Sequence, residues 1–132
     1  MAREQGDGWA AANLDDLGEG YGFRKIRKEL DVKAFGINAI VLPPGVWTNR
    51  HAHERQEETY FVHRGTLEFE FGDGERVRLE AGGVVRVDAP TVRRIGNVGD
   101  EDATYVIAGG AGGYVGRDGV MPEGETRGVT EG

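Results

Sequence analysis

Two histidines and one glutamate stand close together in the sequence, at a spacing that suits a metal site. His51 and His53 are separated by one residue, so both imidazoles point to the same face of an extended strand, with their Cα atoms about 7 Å apart. Glu58 follows at the head of the next apolar run, and its carboxylate would complete a set of two His and one carboxylate, as in non-haem Fe(II) and related Mn sites. On its own, a His-x-His pair is more often a polar strand end.

Composition excludes several other kinds of site. The chain has 132 residues, and its 16 basic and 23 acidic side chains give a net charge of −7. It therefore lacks the clustered positive charge of proteins that bind nucleic acids or anionic membranes. The absence of Cys and Ser excludes disulfides, thiolate ligands and Ser or Cys nucleophiles. Any metal must be held by nitrogen and oxygen ligands.

The candidate ligands must be positioned by strands. From Phe35 onward, short apolar or alternating runs are interrupted by Gly and Pro at intervals of about ten residues. This pattern predicts an all-β sandwich or barrel, and the length of the chain suits one domain. Because the sequence shows no signal peptide and no apolar run long enough to span a membrane, we expect a cytoplasmic protein.

The two ends of the chain differ from this strand-rich part. We expect residues 1–20 to form a flexible N-terminal arm, residues 21–112 a single β-barrel domain, and residues 113–132 a disordered Gly-rich tail. At the start of the domain, apolar residues recur at helical spacing, which predicts either a short amphipathic helix or an edge strand. These residues are Phe23, Ile26 and Leu30.

The clearest hairpin is centred on Gly72-Asp73-Gly74, a three-residue loop of favoured chemistry. In the register that this loop sets, Phe71 faces Glu75, Glu70 faces Arg76 and Glu68 faces Arg78. The ion pairs would then lie on the outer face of the sheet. The inner face would carry Leu67, Phe69, Val77 and Leu79.

The residues around the two histidines resemble the first motif of the cupin superfamily, G-x5-H-x-H-x(3,4)-E-x6-G. Every fixed position is present, as Gly45, His51, His53, Glu58 and Gly65. The resemblance implies a small single-domain cupin: a double-stranded β-helix, or jelly-roll barrel, with a short N-terminal helix or edge strand. Such proteins are often dimeric, so it also implies a homodimer.

The second cupin motif, G-x5-P-x-G-x2-H-x3-N, is altered in this chain. Residues 82–97 have its length, but Asp88 stands in place of Pro, Pro90 in place of Gly, and Arg93 in place of the last His ligand. The resemblance therefore implies a reduced site of two His and one Glu. The ion would be a divalent transition metal such as Fe, Mn, Ni or Zn.

Several roles remain open for the residues beside this site. Arg93 could repel the ion, pair with Glu58 in its place, or clamp an anionic ligand; it could also lie on a solvated strand edge. Tyr60 and Gln56 are further candidates for ligand binding. By strand parity, Glu57 would face away from Glu58, and His63 would point outward.

Three functions follow as hypotheses. The first is a reduced metal site with Arg93 beside it, binding a small anionic organic ligand in the barrel. The second is an Fe(II)- or Mn(II)-dependent dioxygenase or isomerase acting on a small molecule. The third is a metal-free ligand-binding or sensor protein in which Arg93 pairs with Glu58.

Overall fold

The computed structural model describes residues 3–122 and the backbone of residues 129–131. A 3-10 helix covers Leu14–Asp16, and one short α-helix, α1, covers Ile26–Leu30. The strands of the described residues are β1 Glu4–Gly6, β2 Trp9–Ala11, β3 Gly22–Arg24, β4 Gly36–Leu42, β5 Val46–Thr48, β6 Ala52–His53, β7 Glu57–Arg64, β8 Thr66–Phe71, β9 Glu75–Glu80, β10 Val84–Val87, β11 Arg93–Asn97, β12 Ala103–Gly110, β13 Gly119–Val120 and β14 Val129–Glu131.

Two five-stranded antiparallel sheets form the body of the protein, which confirms the predicted all-β class. The first sheet has the strand order β10-β7-β12-β4-β3, and the second has the order β14-β5-β11-β8-β9. Two smaller pairs, β1 with β2 and β13 with β6, complete the pairing among the described residues. The residues that the motif brings together thus come from β6 and β7 and from the link between β5 and β6.

Alternation along the strands fills the space between the two sheets. In β7 every second residue is buried up to Val62, while the residues between them are exposed. Tyr60 of β7 packs edge-on against Phe69 of β8, with ring centroids 5.4 Å apart. The core also contains Val62, Leu67, Ile95 and Tyr105.

The predicted hairpin between β8 and β9 has the expected register, with Phe71 opposite Glu75, Glu70 opposite Arg76 and Glu68 opposite Arg78. The burial of the two faces of the hairpin differs from the expectation. Val77 is exposed, whereas Glu68 and Glu70 of the outer face are buried. They are covered because Arg76 contacts both carboxylates, at 2.7 and 2.6 Å, and Arg94 binds Glu70 at 3.0 Å.

The N-terminal part of the domain contains both elements that the apolar spacing allowed. β3 is an edge strand paired with β4, and α1 follows it with Ile26 buried. Both are short because Lys25 separates them and Asp31, in the left-handed conformation at φ 56°, ends the helix. Within the described residues, no helix is long and apolar enough to cross a membrane.

The boundaries of the arm and of the tail stay predictions, but described residues of both segments form regular structure. In the predicted arm, β1 and β2 pair as a hairpin. In the predicted tail, Gly119 pairs with His53 and Val120 with Ala52. The expectation of a tail without structure therefore does not extend to these residues. Residues 123–128 of that tail lie outside the described residues.

Candidate metal centre

Three strand segments bring the candidate ligands together. His51 forms a bridge with Arg93, in which the backbone N–H of each donates to the carbonyl of the other, at 3.0 and 2.9 Å. The N–H of His53 donates to the carbonyl of Ala89 at 2.8 Å. Glu58, near the start of β7, lies opposite Val87 of β10. As a result, one ligand atom each from His51, His53 and Glu58 lies within 4.8 Å of the others.

In their neutral forms, both histidines present Nε2 as the atom with a free lone pair. Nδ1 of His51 lies 3.3 Å from the carbonyl of Asn49, and Nδ1 of His53 lies 2.7 Å from Oδ1 of Asp118. A carbonyl and a carboxylate only accept hydrogen bonds, so each Nδ1 is the donor. Burial, together with the charge of Arg93, lowers the pKa of His51, which keeps this imidazole neutral at pH 7.

The carboxylate of Glu58 is held in its charged form although it is only 8% exposed. Its Oε1 accepts hydrogen bonds from the Tyr60 hydroxyl at 2.6 Å and from Nη2 of Arg93 at 3.0 Å. Burial by itself raises the pKa of Glu58, but the hydrogen bonds with His53 and Tyr60 and the nearby positive charge outweigh it and lower the pKa to about 2. Glu58 is therefore a carboxylate at every ordinary pH.

Arg93 is fully buried, with 0% exposure, which rules out a solvated strand edge. Each of its nitrogens has a partner. Nε donates to the Tyr60 hydroxyl at 3.3 Å, Nη2 to Glu58 at 3.0 Å, and Nη1 to the carbonyls of Ala89 and Thr91 at 3.2 and 2.6 Å. The pairing with Glu58 that the sequence left open is present. Its neighbour Arg94 faces the other side of the sheet, where it lies over the Trp47 ring.

The donor set fits a divalent transition metal. Nε2 of His53 is buried and lies 3.2 Å from Oε1 of Glu58, so that in the neutral ring its lone pair faces another acceptor and no donor. A buried nitrogen in this state costs free energy unless something binds its lone pair. Two imidazole nitrogens and one carboxylate oxygen are ligands that Fe, Mn, Ni and Zn accept.

Asp118 is the residue at this site that sequence reasoning missed. Besides Nδ1 of His53, it accepts hydrogen bonds from the backbone N–H groups of Arg55 and Gln56, at 2.9 and 3.0 Å. The side-chain amide of Gln56 also donates to it, at 2.6 Å. Gln56, a predicted ligand-binding residue, thus lies beside the site but is engaged with Asp118. A single Asp in a Gly-rich segment carries no local signal of this role.

The other residues considered from the sequence lie where strand parity places them. Glu57 is exposed and pairs with Arg86 at 3.2 Å, and His63 is exposed on the outer face of β7. Tyr60 is buried in the core. A cleft of about 400 Å³ is lined by residues of β8, β9 and β10 and by Asp88 and Thr91. The carbonyl of Thr91 is also a partner of Arg93, so the cleft adjoins the site.

Comparison with protein families decides the fold family. The model of the cupin domain matches residues 39–109, which is more than half of the chain. The chain is a cupin. The resemblance seen in the first motif is thereby confirmed. The matched range includes His51, His53, Glu58 and the altered position Arg93.

Solved structures agree with this assignment. A cupin protein from Bacteroides fragilis superposes with a TM-score of 0.68 at 19% identity, over 83% of this cupin and 90% of that chain. A conserved protein with a double-stranded β-helix domain from Klebsiella pneumoniae gives 0.61 at 24% identity, over 68% and 76%. At these identities the likeness shows the fold alone, which confirms the double-stranded β-helix.

A third structure is more similar in sequence. A predicted oxalate decarboxylase from Thermotoga maritima is 28% identical, with a TM-score of 0.55, over 63% of this cupin and 71% of that chain. Comparison with the curated proteins found no match. The comparisons therefore establish a cupin barrel, and the geometry of this chain shows that His51, His53 and Glu58 could hold a metal in it.

The low pKa of Glu58 predicts a specific loss of stability in acid. The pKa falls from an ordinary value of 4.5 to about 2 on folding, so Glu58 stabilises the fold fully above pH 4.5 and loses that contribution as the pH falls towards 2. We expect a decrease of about 1–3 kcal/mol in the free energy of unfolding from this group. Urea unfolding of the metal-free protein at pH 5.5 and pH 3 measures it. The matched variant Glu58→Gln should lose less between the same two pH values; an equal loss would contradict the assignment.

Proposed function

We propose that this cupin binds one divalent transition metal ion through His51, His53 and Glu58, and that it holds a small anionic organic ligand in the barrel beside the ion. The observation that carries the proposal is the convergence of the three ligand atoms within 4.8 Å, with Nε2 of His53 buried and directed at Oε1 of Glu58. Fe, Mn, Ni and Zn all accept this donor set.

The charges at the site favour an anionic ligand. The ion would bring two positive charges and Arg93 one, against single negative charges on Glu58 and Asp118, while His51 and His53 bind a metal as neutral groups. The loaded site therefore keeps one excess positive charge in a partly buried position. A carboxylate or phosphate of the ligand would neutralise it. Arg93 contributes through its charge rather than through a bidentate hydrogen bond to the ligand, because its nitrogens already donate to Glu58, Tyr60 and backbone carbonyls.

The side chains of this chain have defined tasks in such a site. When bound, the metal would act as a Lewis acid with positions open to water or substrate. Tyr60 orients the carboxylate of Glu58 through its 2.6 Å hydrogen bond, and burial raises the pKa of Tyr60, which keeps the hydroxyl protonated as a donor. Gln56 stands at the edge of the site, and a contact of its amide with a ligand would replace its hydrogen bond to Asp118.

Metal analysis of the untagged protein tests the proposal. We expect close to one equivalent of metal per chain after chelation and separate additions of Fe(II), Mn(II), Ni(II) and Zn(II), and a loss of binding by at least about 100-fold in His51→Ala. His63→Ala is the matched control, since His63 is exposed on the outer face of β7 and should change nothing. Binding that survives in His51→Ala and in His53→Ala, with both variants folded by circular dichroism, would contradict the site.

A metal-free binding or sensor protein is the second candidate, and the Arg93–Glu58 pair favours it. The guanidinium lies 3.0 Å from the carboxylate and supplies the positive charge that an ion would otherwise bring. If no metal binds under any of the conditions above, this candidate replaces the first. Screening small carboxylates and phosphates by thermal shift would then identify the ligand class.

Catalysis is a separate proposal that depends on the metal. Three protein ligands leave positions open for a substrate and for O2, which suits an Fe(II)- or Mn(II)-dependent dioxygenase or isomerase. Oxygen uptake with small diols, diketones and thiols would detect the first of these activities.

We also propose that the protein is a cytoplasmic homodimer. Light scattering after size-exclusion chromatography tests the oligomeric state.

A further inference from the structure

The C-terminal segment places one carboxylate at the centre of four hydrogen bonds. Oδ1 of Asp118 contacts Nδ1 of His53 at 2.7 Å and accepts from the side-chain amide of Gln56 at 2.6 Å. Its Oδ2 accepts from the backbone N–H groups of Arg55 and Gln56, at 2.9 and 3.0 Å. The Asp118 side chain is only 8% exposed, so water does not compete strongly for these contacts.

Regular pairing holds Asp118 in this position. The next two residues, Gly119 and Val120, pair with His53 and Ala52, and the carbonyl of Asp118 accepts from the N–H of Glu54 at 3.1 Å. Before Asp118, the side chain of Val115 is buried, and the ring of Tyr114 lies 4.2 Å beneath the guanidinium of Arg27. The segment is thus attached at both sides of Asp118.

The arrangement determines which nitrogen of His53 carries the proton. Both oxygens of Asp118 face donors, and two of those donors are backbone N–H groups that cannot change role. The 2.7 Å contact to His53 is therefore satisfied only when Nδ1 donates, while the amide of Gln56, 3.3 Å from the same Nδ1, donates to Oδ1 of Asp118 at 2.6 Å. In the neutral ring Nε2 then keeps the lone pair that an ion would bind. A carboxylate that orients a ligating imidazole in this way typically changes metal affinity by about 10–100-fold.

We propose that Asp118 is the positioning residue of the metal site: it fixes the Nδ1–H tautomer and the ring orientation of His53, so that the docked segment 113–122 sets the affinity of His51, His53 and Glu58 for the ion. The effect of Asp118 on metal affinity rests on the proposed function. Its effect on the tautomer of the neutral His53 ring can be measured in the metal-free protein as well.

Asp118→Asn is the informative variant because it has the same shape. Its single oxygen is needed by the two backbone N–H groups of Arg55 and Gln56, so its NH2 group turns to His53 and donates to Nδ1. The proton of His53 should then move to Nε2, the atom that the ion needs. Asp118→Ala removes the acceptor without supplying a donor, and Asp73→Asn, in the exposed β8–β9 turn, is the control for the change in net charge.

Two measurements separate the tautomer from the metal. Long-range 1H–15N spectra of the metal-free protein, at a pH where the ring is neutral, report the tautomer of each of the three histidines, and Zn(II) and Co(II) titrations report the affinity. We expect Nδ1–H for His53 in the wild type and in Asp73→Asn, and Nε2–H in Asp118→Asn. Metal affinity should fall by about 10–100-fold in Asp118→Asn and Asp118→Ala.

The possible results are distinct. If His53 keeps Nδ1–H in Asp118→Asn and Asp118→Ala, and both bind metal as the wild type does, Asp118 only anchors the segment and the inference is overturned. If the wild type binds no metal, the proposed function fails, and the spectra alone decide: reversal of the tautomer in Asp118→Asn supports the positioning role, and an unchanged tautomer overturns it.

Discussion

Replacing Arg93 by Met should lower the free energy of unfolding by about 3–5 kcal/mol. The reason is that Glu58 would stay buried as a carboxylate without its charged partner, now 3.0 Å away. The carbonyls of Ala89 and Thr91 would lose their side-chain donor at the same time. Met was chosen because it fills the space of the aliphatic part of Arg93, so that loss of charge rather than loss of volume dominates.

Urea unfolding of the metal-free protein with chelator present measures this effect. A double-mutant cycle with Glu58→Gln isolates the pair: each single variant leaves one buried charge, whereas the double variant leaves none. The double variant should therefore be destabilised by clearly less than the sum of the two. Arg86→Met is the control, because the Arg86–Glu57 pair is exposed and such pairs contribute only about 0–1 kcal/mol. A cost below that of Arg86→Met, or full additivity, would show that the buried pair is not a unit.

The sequence was most informative where the needed geometry is local. His51 and His53 share a face because side chains alternate along an extended backbone, and the motif spacing predicted that Glu58 would meet them. The same alternation placed Glu57 and His63 outside. Turn chemistry predicted the register of the β8–β9 hairpin residue by residue, because a short loop leaves few alternatives.

Contacts between distant segments were beyond this kind of reasoning. Asp118 lies 65 residues from His53 along the chain, and no periodicity or spacing links the two. The carbonyls that accept from Nη1 of Arg93, those of Ala89 and Thr91, lie in the turn between β10 and β11. These two strands belong to different sheets, so the direction of the carbonyls depends on how the sheets pack. The burial of Glu68 and Glu70 was also missed, since it arises from arginines that cover the sheet from outside.

A second large effect is expected when Arg93 is replaced by His, the residue that the cupin motif places there. Metal affinity should rise by roughly 100-fold or more, because the substitution removes a permanent positive charge next to a dication and supplies a further imidazole. The position is suitable since Arg93 is bridged to His51 and points into the barrel. The titrations used for the wild type measure the change.

Arg94→His separates this effect from the mere addition of an imidazole. Arg94 is the next residue of β11 but lies on the other face, against Trp47 and Glu70, so its replacement should leave metal affinity unchanged. An affinity of Arg93→His no higher than that of the wild type, in a folded protein, would mean that Arg93 does not limit binding of the ion.

Metal should stabilise the Arg93→His protein more than it stabilises the wild type. Without metal, Arg93→His loses the ion pair with Glu58 and should unfold more easily than the wild type. Metal stabilises the folded state of both proteins, but at one metal concentration well above both dissociation constants a 100-fold tighter site gains about 2.7 kcal/mol more, and an ion held by three His and Glu58 replaces the guanidinium as the partner of that carboxylate. On metal addition, the difference between the two thermal midpoints should therefore become smaller or change sign. This is expected if the charge of Arg93 stands where the charge of the ion would be.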